Sequence, residues 1–446
     1  MAVAEIQNVK DHRIHQQHDG IEKTNCSIRN KIWMAPMVRG SDLAFRNLVR
    51  QQGHIATPCF SPMIRADQVL EASHYLATIE NPKDIPPNDL QHLHEDVVLV
   101  LTDILADQEP LIVQLCGCHP DVFYRACRFL LKLKNQQSQS CKIVGLDLNL
   151  GCPQDCANVC NFGAFLAEEH PDLALQCVAA MKRAIYEDQR DGCTNPPRLS
   201  CKIRLRHTTQ DTIDFARQLR NHGCELLTVH CRRRQDKHDG APDYKAGRQL
   251  VQALQDSKFP ILINGDVVCL QDAERVLTQT QAHGIMIARG FLKNPLLLVN
   301  TTTTMMSSSE PFSPSFTLSM AALYLEHVEQ HSPPSSLYIR KHLQWLFRAH
   351  LRPSNGKRFE NFSDDDWKSK LWTFLQRPYL ETVYQFRCLL GLYARNWMEE
   401  GVEMHVPASL VEHCHATFRE IRHGRVPSKN EDGKVEEEGL GAGLFD

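Results

Sequence analysis

The chain has 446 residues, of which 42% are apolar and 23% charged, with 22 glycines, 23 prolines and a formal net charge of −3. This length exceeds one ordinary domain and suits a large barrel with a smaller partner, while the composition excludes wholesale disorder, collagen-like repeats and a long coiled coil. The longest apolar stretch, Val97 to Ala106, is interrupted by Thr102 and Asp103. It falls well short of the roughly 20 apolar residues of a membrane helix, so no membrane partner is expected.

The first thirty residues carry His, Gln and acids such as Glu5 and Asp11 around no apolar core, so no secretory leader is expected and the default address is cytoplasmic, compatible with a nuclear pool. The 17 cysteines are spread evenly, unlike a dense secreted framework, and reduced thiols are expected. No CxxC pair occurs; Cys116 and Cys118 stand too close for zinc spacing, and Cys152, Cys156 and Cys160 are neighbours only if that stretch is helical. No metal is expected. Residues 427–446 hold six acids against Lys429 and Lys434, so the rest of the chain carries +1. Any polyanion site is therefore a local patch.

Eight short β-rich runs alternate with longer helical stretches between Lys31 and Pro295: Lys31 to Val38, His54 to Phe60, Leu111 to Cys116, Ile143 to Asn149, Leu199 to Arg204, Glu225 to His230, Pro260 to Asn264 and Gly284 to Ala288. Parallel neighbours need a crossover, and eight such units in this length match a closed (β/α)8 TIM barrel. Helical spacing of apolar residues runs through Ser41–Gln52, Pro120–Lys134, Pro171–Tyr186, Asp211–His222, Ala246–Gln255 and Leu270–Gln281. Asp211 suits a first turn, and Gly223 stands where a C-terminal glycine is wanted. The stretch from Ser61 to about Leu90 is long enough to overhang the mouth.

The expected organisation is a flexible segment over 1–30, the barrel over 31–300, a polar linker over 301–315, a helical bundle over 316–426 and a disordered acidic tail over 427–446. In Ser335 to Leu351, Ile339, Leu343, Leu346, Phe347 and Leu351 share one face, with Lys341, Arg348 and Arg352 on another. Trp345, Trp367 and Trp372 read as bundle core.

Chemistry in this barrel sits at the C-terminal ends of the strands. Those positions hold Pro36, Met37 and Val38, Gln114, Asn149 with Cys152, Lys202 and Arg204, His230, Asn264-Gly265-Asp266 and Ala288-Arg289-Gly290. Glycines in the last two loops let the backbone approach an anion, at the usual phosphate site of this fold, so a phosphorylated cofactor is expected. Lys202 and Arg204 alternate and share one side of their strand; with Gln114 and His230 they offer donors around a flavin or uracil ring. Cys152, in Gly151-Cys152-Pro153, is placed to act as acid or nucleophile. Arg206, Arg232, Arg233, Arg234 and Lys237 cluster after strands five and six at the mouth, a local basic patch that Lys341, Arg348 and Arg352 of the second domain extend.

These motifs, from Ala35-Pro36-Met37-Val38 through Asp147-Leu148-Asn149-Leu150-Gly151-Cys152-Pro153-Gln154, Phe162-Gly163-Ala164-Phe165-Leu166, Cys201-Lys202-Ile203-Arg204, Thr228-Val229-His230, Asn264-Gly265-Asp266 and Ala288-Arg289-Gly290, resemble the tRNA-dihydrouridine synthases. The GCPQ and FGAFL segments are most similar to the eukaryotic branch acting on uridines 16 and 17. The helical region, with Ile339-Arg340-Lys341-His342-Leu343, resembles that family's RNA-binding domain more loosely.

The resemblance implies a flavoenzyme that binds FMN, takes hydride from NADPH or NADH, and reduces a uridine flipped out of tRNA. Cys152 would protonate uracil C5, Lys202 would stabilise the charge left by hydride addition, and Asn149 would hold the uracil edge. Pro36, Met37, Val38, Gln114, Lys202, His230, Asn264, Gly265, Asp266, Ala288 and Arg289 would hold FMN; Arg204, Arg232, Lys341 and Arg348 would face RNA. The chain is expected to work as a monomer. Cys231, where many relatives have glycine, and Asp155, Cys156 and Cys160 in the Cys152 loop depart from the family pattern. The rival reading is an FMN-dependent barrel oxidoreductase of a free pyrimidine, which needs no basic helical domain.

Overall fold

A computed structural model of the chain describes residues 30–51, 55, 57–76, 95–136, 142–237, 239–255, 259–298, 314–331 and 335–351, with the single positions 375, 386 and 390. Its strands are short apolar runs because a parallel barrel strand is covered on both faces, by the interior and by the helical shell. In chain order the elements are β1 (Ile32–Met34), α1 (Leu43–Gln51), β2 (Cys59–Phe60), β3 (Ile64–Arg65), α2 (Ala66–Leu76), α3 (Glu95–Leu105), β4 (Leu111–Cys116), α4 (Pro120–Gln136), β5 (Ile143–Leu150), α5 (Asp155–Val159), α6 (Gly163–Glu169) and α7 (Pro171–Arg190). They continue with β6 (Arg198–Leu205), α8 (Thr209–Asn221), β7 (Leu226–Arg233), α9 (Tyr244–Ala253), β8 (Ile261–Asn264), α10 (Leu270–Thr280), β9 (Gly284–Ile287), α11 (Arg289–Lys293), α12 (Pro314–Gln330) and α13 (Ser336–Leu351).

All strand pairs are parallel, in the order β1-β9-β8-β7-β6-β5-β4-β2, with β3 also on β4. The architecture is a nearly closed (β/α)8 barrel, as the eight-run alternation predicts. Its weakest position is the second. Of the run His54 to Phe60, Cys59 and Phe60 alone pair among the described residues, and Ile64–Arg65 takes up β4 further along. Pro58 and Pro62 flank this stretch, and proline supplies no ladder N–H. The Thr57 hydroxyl, donating to the Ile32 carbonyl, links this segment to β1. The apolar stretch Val97 to Ala106 largely becomes α3, and no described helix is long and apolar enough to cross a membrane.

Local signals explain the helix ends. Thr208 caps α8, its Oγ1 accepting the Asp211 N–H at 3.0 Å while Asp211 accepts the Thr208 N–H, and Gly223 takes φ +108 just beyond the helix. The short helices α5 and α6 after β5 carry too few periodic residues to stand out in sequence.

The second domain begins with α12 at Pro314, two residues inside the expected linker. Of this domain, residues 352–426 lie outside the described residues apart from the buried helical positions Leu375, Phe386 and Leu390; the terminal segments 1–29 and 427–446, linker residues 301–313, Arg352, Trp367 and Trp372 are likewise outside them. In α13, Ile339, Leu343, Leu346 and Phe347 are buried as the periodicity predicts, and Trp345 is buried as a core residue; the Leu351 side chain lies outside the described residues. Lys341 and Arg348 do not stand on an open face: both are half-buried, and the Arg348 guanidinium lies 4.9 Å from the Trp345 ring centre. Long basic side chains lay their apolar stems along the helix surface.

The docking of this domain on the barrel is polar at its centre. His342 Nε2 lies 2.5 Å from Asp42 Oδ2, and its ring sits 4.3 Å from both Phe45 and Tyr324. One turn along α1, fully buried Arg46 donates to Asp107 at 2.7 Å, Asp103 at 2.9 Å and the Ser41 carbonyl at 2.6 Å. Removing one partner of such a group strands the opposite charge without water. Arg46→Met should therefore destabilise the chain by roughly 3–5 kcal/mol, seen as a lower urea midpoint, whereas Arg217→Met, on an exposed pair with Asp214, should change it by under about 1 kcal/mol.

Candidate functional site

The C-terminal ends of the strands open into one cleft of about 630 Å³, of the size that takes a cofactor. Register builds it layer by layer: Gln114 of β4 is level with Asp147 of β5, Asn149 with Lys202 of β6, Arg204 with His230 of β7, and His230 with Asn264 of β8. The lining includes Pro36, Met37, Val38, Gln114, Asn149, Cys152, Lys202, Arg204, His230, Arg232, Asn264, Gly265, Asp266, Ala288 and Arg289. The thiol, the amine and the imidazole thus meet in one cavity although they come from distant stretches of chain. Lys341 and Arg348 are not among its walls.

Cys152 is held by its loop from several sides. Asn149 Oδ1 accepts the N–H groups of Gly151 at 3.1 Å and Cys152 at 3.0 Å, and Arg204 Nε donates to the Gly151 carbonyl at 2.9 Å. The Cys152 carbonyl accepts the Ala164 N–H at 3.0 Å. Gly163 allows this approach, since at φ +65 any Cβ there would lie 2.7 Å from the Cys152 carbonyl oxygen. Burial pushes the Cys152 thiol up to about 11, against the Gln154 backbone hydrogen bond and the Arg204 and Lys202 charges. At neutral pH it is a protonated thiol, a proton donor rather than a standing thiolate.

The cations of the cleft outnumber its acids. Burial lowers Lys202 to about 8, with Arg204 repelling it and Asp147 and Cys152 opposing the drop. Burial also lowers Arg204 to about 10, and depresses Arg289 and Lys293, which repel one another. Asp266 answers part of this charge through Arg232 and Arg289. A cavity whose cations are held below their ordinary proton affinity gains by taking in an anion. Glycine is what lets the two loops lining this end of the cleft close up: Gly265 takes φ +145, and a Cβ at Gly290 would lie 2.3 Å from the Val267 carbonyl oxygen. A flavin phosphate fits this donor set.

Several expected RNA contacts are spent inside the protein. Arg204 is buried, donating also to the Arg233 and Lys237 carbonyls at 3.1 and 2.7 Å. Arg232 is buried as well, donating to the Asp239 and Gly240 carbonyls and pairing with Asp266, with Nη1 3.3 Å from His230 Nε2. Arg206 donates to the Ala167 carbonyl, and Arg234 pairs with Glu168 and Glu169. These arginines hold the βα-loops in place because loop carbonyls at a barrel mouth lack ladder partners. Asn149 likewise spends its carbonyl on the Cys152 loop, and its Nδ2 donates to Gln114 Oε1 at 2.9 Å beside Met63 Sδ at 3.0 Å.

Sequence reasoning passed over Met63, from the stretch after β2, and Asp147 and Ser200, which sit beneath the cleft. An acid in an otherwise apolar strand, two residues before Asn149, was the available signal. Helix α5 gathers Cys152, Cys156 and Cys160 with Cys116 into a small cluster, all as free thiols, and no group of three or more metal-binding side chains occurs among the described residues.

Fold and cleft together define a class: a (β/α)8 barrel with a phosphate-type anion site after its last two strands and a protonated thiol opposite a buried ammonium. The chain belongs to the dihydrouridine synthase family, whose description it matches over residues 33–370. It is 32% identical over 328 residues to a tRNA-dihydrouridine(16/17) synthase-like protein of Mus musculus, covering 73% of this chain and 57% of that one. It is 27% identical to the tRNA-dihydrouridine(16/17) synthase of Schizosaccharomyces pombe, covering 63% and 60%, and 30% identical to the tRNA-dihydrouridine(20a/20b) synthase of Saccharomyces cerevisiae, covering 62% and 64%. The chain thus spans somewhat under two thirds of the length of these relatives.

The electrostatics of Cys152 are open to a direct check. Its alkylation by iodoacetamide should accelerate with pH up to about 11, and because Lys202 gives up its proton at about 8, Lys202→Met should leave that rise where it is.

Proposed function

We propose that the chain reduces uridine to 5,6-dihydrouridine in tRNA, at D-loop positions 16/17, with FMN as bound cofactor and NADPH or NADH as reductant. It would act in the cytoplasm as a monomer and without a metal. The observation that carries this reading is the meeting of the protonated Cys152 thiol, the Lys202 ammonium and a cation-rich anion site in one cleft of a dihydrouridine synthase family barrel. The names of the mouse and fission-yeast relatives support tRNA as substrate, NAD(P) as cosubstrate and positions 16 and 17.

Gln114, Lys202, His230 and Asn264 would hold the flavin ring, the Pro36 to Val38 turn would border it, and the Asn264–Asp266 and Ala288–Arg289 loops would take its phosphate. When bound, the reduced flavin supplies the hydride that uracil C6 accepts. The residues of the chain handle the rest. Hydride addition leaves negative charge spread over C5 and the C4 carbonyl; the Lys202 ammonium stabilises that charge, and Cys152 passes its proton to C5. Arg204 and Lys202 then face the thiolate until solvent restores its proton. The uridine has to leave the RNA stack to reach Cys152, since strand-end side chains cannot reach into a helix.

Incubation of the full chain with FMN, NADPH and unmodified tRNA, followed by position-resolved dihydrouridine mapping, tests the reading; product absent from tRNA but formed on a free pyrimidine would refute it, and product at another uridine would refute the 16/17 assignment. Cys152→Ala should slow dihydrouridine formation by about 10²–10⁴-fold while NADPH oxidation by bound flavin continues. The Lys202 ammonium is the working form and is present below its value of about 8, so single-turnover reduction should fall as pH rises through that value. Arg289→Ala should weaken FMN retention while affecting riboflavin little, measured by flavin fluorescence after dialysis.

A further inference from the structure

One layer beneath the cleft, polar side chains of three strands form a directed hydrogen-bond relay. Alternation along β5 puts Asp147 and Asn149 on the same inward side, with Gln114 of β4 level with Asp147 on one flank and Ser200 of β6 on the other. Asp147 is fully buried and does not line the cleft. Its Oδ1 accepts from the Ser200 hydroxyl at 2.5 Å, and its Oδ2 accepts from Gln114 Nε2 at 2.7 Å.

This arrangement has only one consistent polarity. A carboxylate offers no donor, so the Gln114 NH₂ must face it and the Gln114 carbonyl must turn to Asn149, whose Nδ2 it accepts at 2.9 Å. That commits the Asn149 carbonyl to the N–H groups of Gly151 and Cys152. The reverse orientation would set the Gln114 carbonyl against the carboxylate and the Asn149 NH₂ against two backbone donors, at the cost of several buried hydrogen bonds. Strand register sets Lys202 level with Asn149, one inward position along from the Ser200–Asp147 pair on the same side of β6, and the same carboxylate is the acid that acts on Lys202; the other groups acting on that amine are the Arg204 guanidinium and the Cys152 thiol. Lys202 acts on Asp147 in return, and the Cys201 thiol also senses its charge.

We propose that Asp147 is a positioning residue, which sets the polarity of the Gln114–Asn149 relay holding the Cys152 loop and supplies the counter-charge that keeps Lys202 an ammonium. Its importance to catalysis rests on the reaction proposed above. The relay itself needs neither flavin nor RNA, so the two fail separately. Burial pushes Asp147 up to about 6, opposed by the Ser200 and Gln114 hydrogen bonds and the Lys202 charge, so it is a carboxylate at neutral pH.

The test uses the purified full chain and two variants, each shown to unfold cooperatively. Asp147→Asn can still take the Gln114 N–H on its amide oxygen while its NH₂ turns to the Ser200 oxygen; Asp147→Ala offers no acceptor. Hydrogen exchange of the Gly151 and Cys152 amides should stay within about threefold of the wild-type rate in Asn and rise at least about tenfold in Ala. Competitive acetylation of Lys202 with acetic anhydride, read by mass spectrometry across pH, should show its apparent pKa falling by at least about half a unit in both variants. Wild-type protection in Ala, or protection lost as fully in Asn as in Ala, overturns the relay, and an unmoved Lys202 titration in Asn overturns the counter-charge. Should Ala fail to fold, the two measurements on Asn still decide the proposal. A wild-type chain that forms no dihydrouridine in tRNA refutes the reaction and leaves both readings on Asp147 standing.

Discussion

The cleft is governed by positive charge that has been taken out of water. Lys202, Arg204, Arg289 and Lys293 are all pressed below their ordinary proton affinity, chiefly by burial and then by one another. The fold carries that cost because the cations sit where parallel strands end. There the loop carbonyls have no ladder partners and can be satisfied by arginine donors. Arg204 and Arg232 thereby do two things at once: they tie the loops after β5, β7 and β8 together, and they leave a field that favours an anionic ligand.

Against that field stands a thiol that keeps its proton. A cysteine beside two cations would ordinarily ionise easily, yet burial outweighs the cations here. The balance suits a group whose task is to give up a proton at one moment, when negative charge develops next to it. A solvent-exposed cysteine in the same loop would sit closer to thiolate at rest and would be open to alkylation and oxidation.

The docking of the second domain follows the same logic of buried, paired charge. Asp42, His342 and the rings of Phe45 and Tyr324 form one contact and Asn47 with His331 another, while a turn away the Arg46, Asp103 and Asp107 group ties α1 to α3 within the barrel. Burial raises the Asp42 carboxyl, and the His342 charge and hydrogen bond together bring it below the usual carboxylate value. The Asp42–His342 and Asn47–His331 contacts specify how α12 and α13 sit on α1 in a way that apolar contacts alone would leave less defined.

Much of this was legible in the chain itself. Eight apolar runs at βα spacing define a parallel barrel because strands covered on both faces read as continuous apolar segments, and Gln114, Lys202, His230 and the two glycine-bearing loops announce themselves by standing at the ends of those runs. The strand at the second position was misread because prolines divide it, and pairing with β4 rather than local propensity decides where it bends. What only the tertiary structure decided is how each polar group is spent. Arg232 looks like a surface cation in sequence and turns inward to carbonyls; Arg204, expected to face the ring, also donates to the Gly151, Arg233 and Lys237 carbonyls; Arg348 lies against Trp345 of its own helix; Asp147 acquires its part only when β4 and β6 come to lie beside β5. Hydrogen-bond partners are set by neighbours across strands, at sequence separations of 33 and 53 for Asp147, and no local pattern encodes contacts of that range.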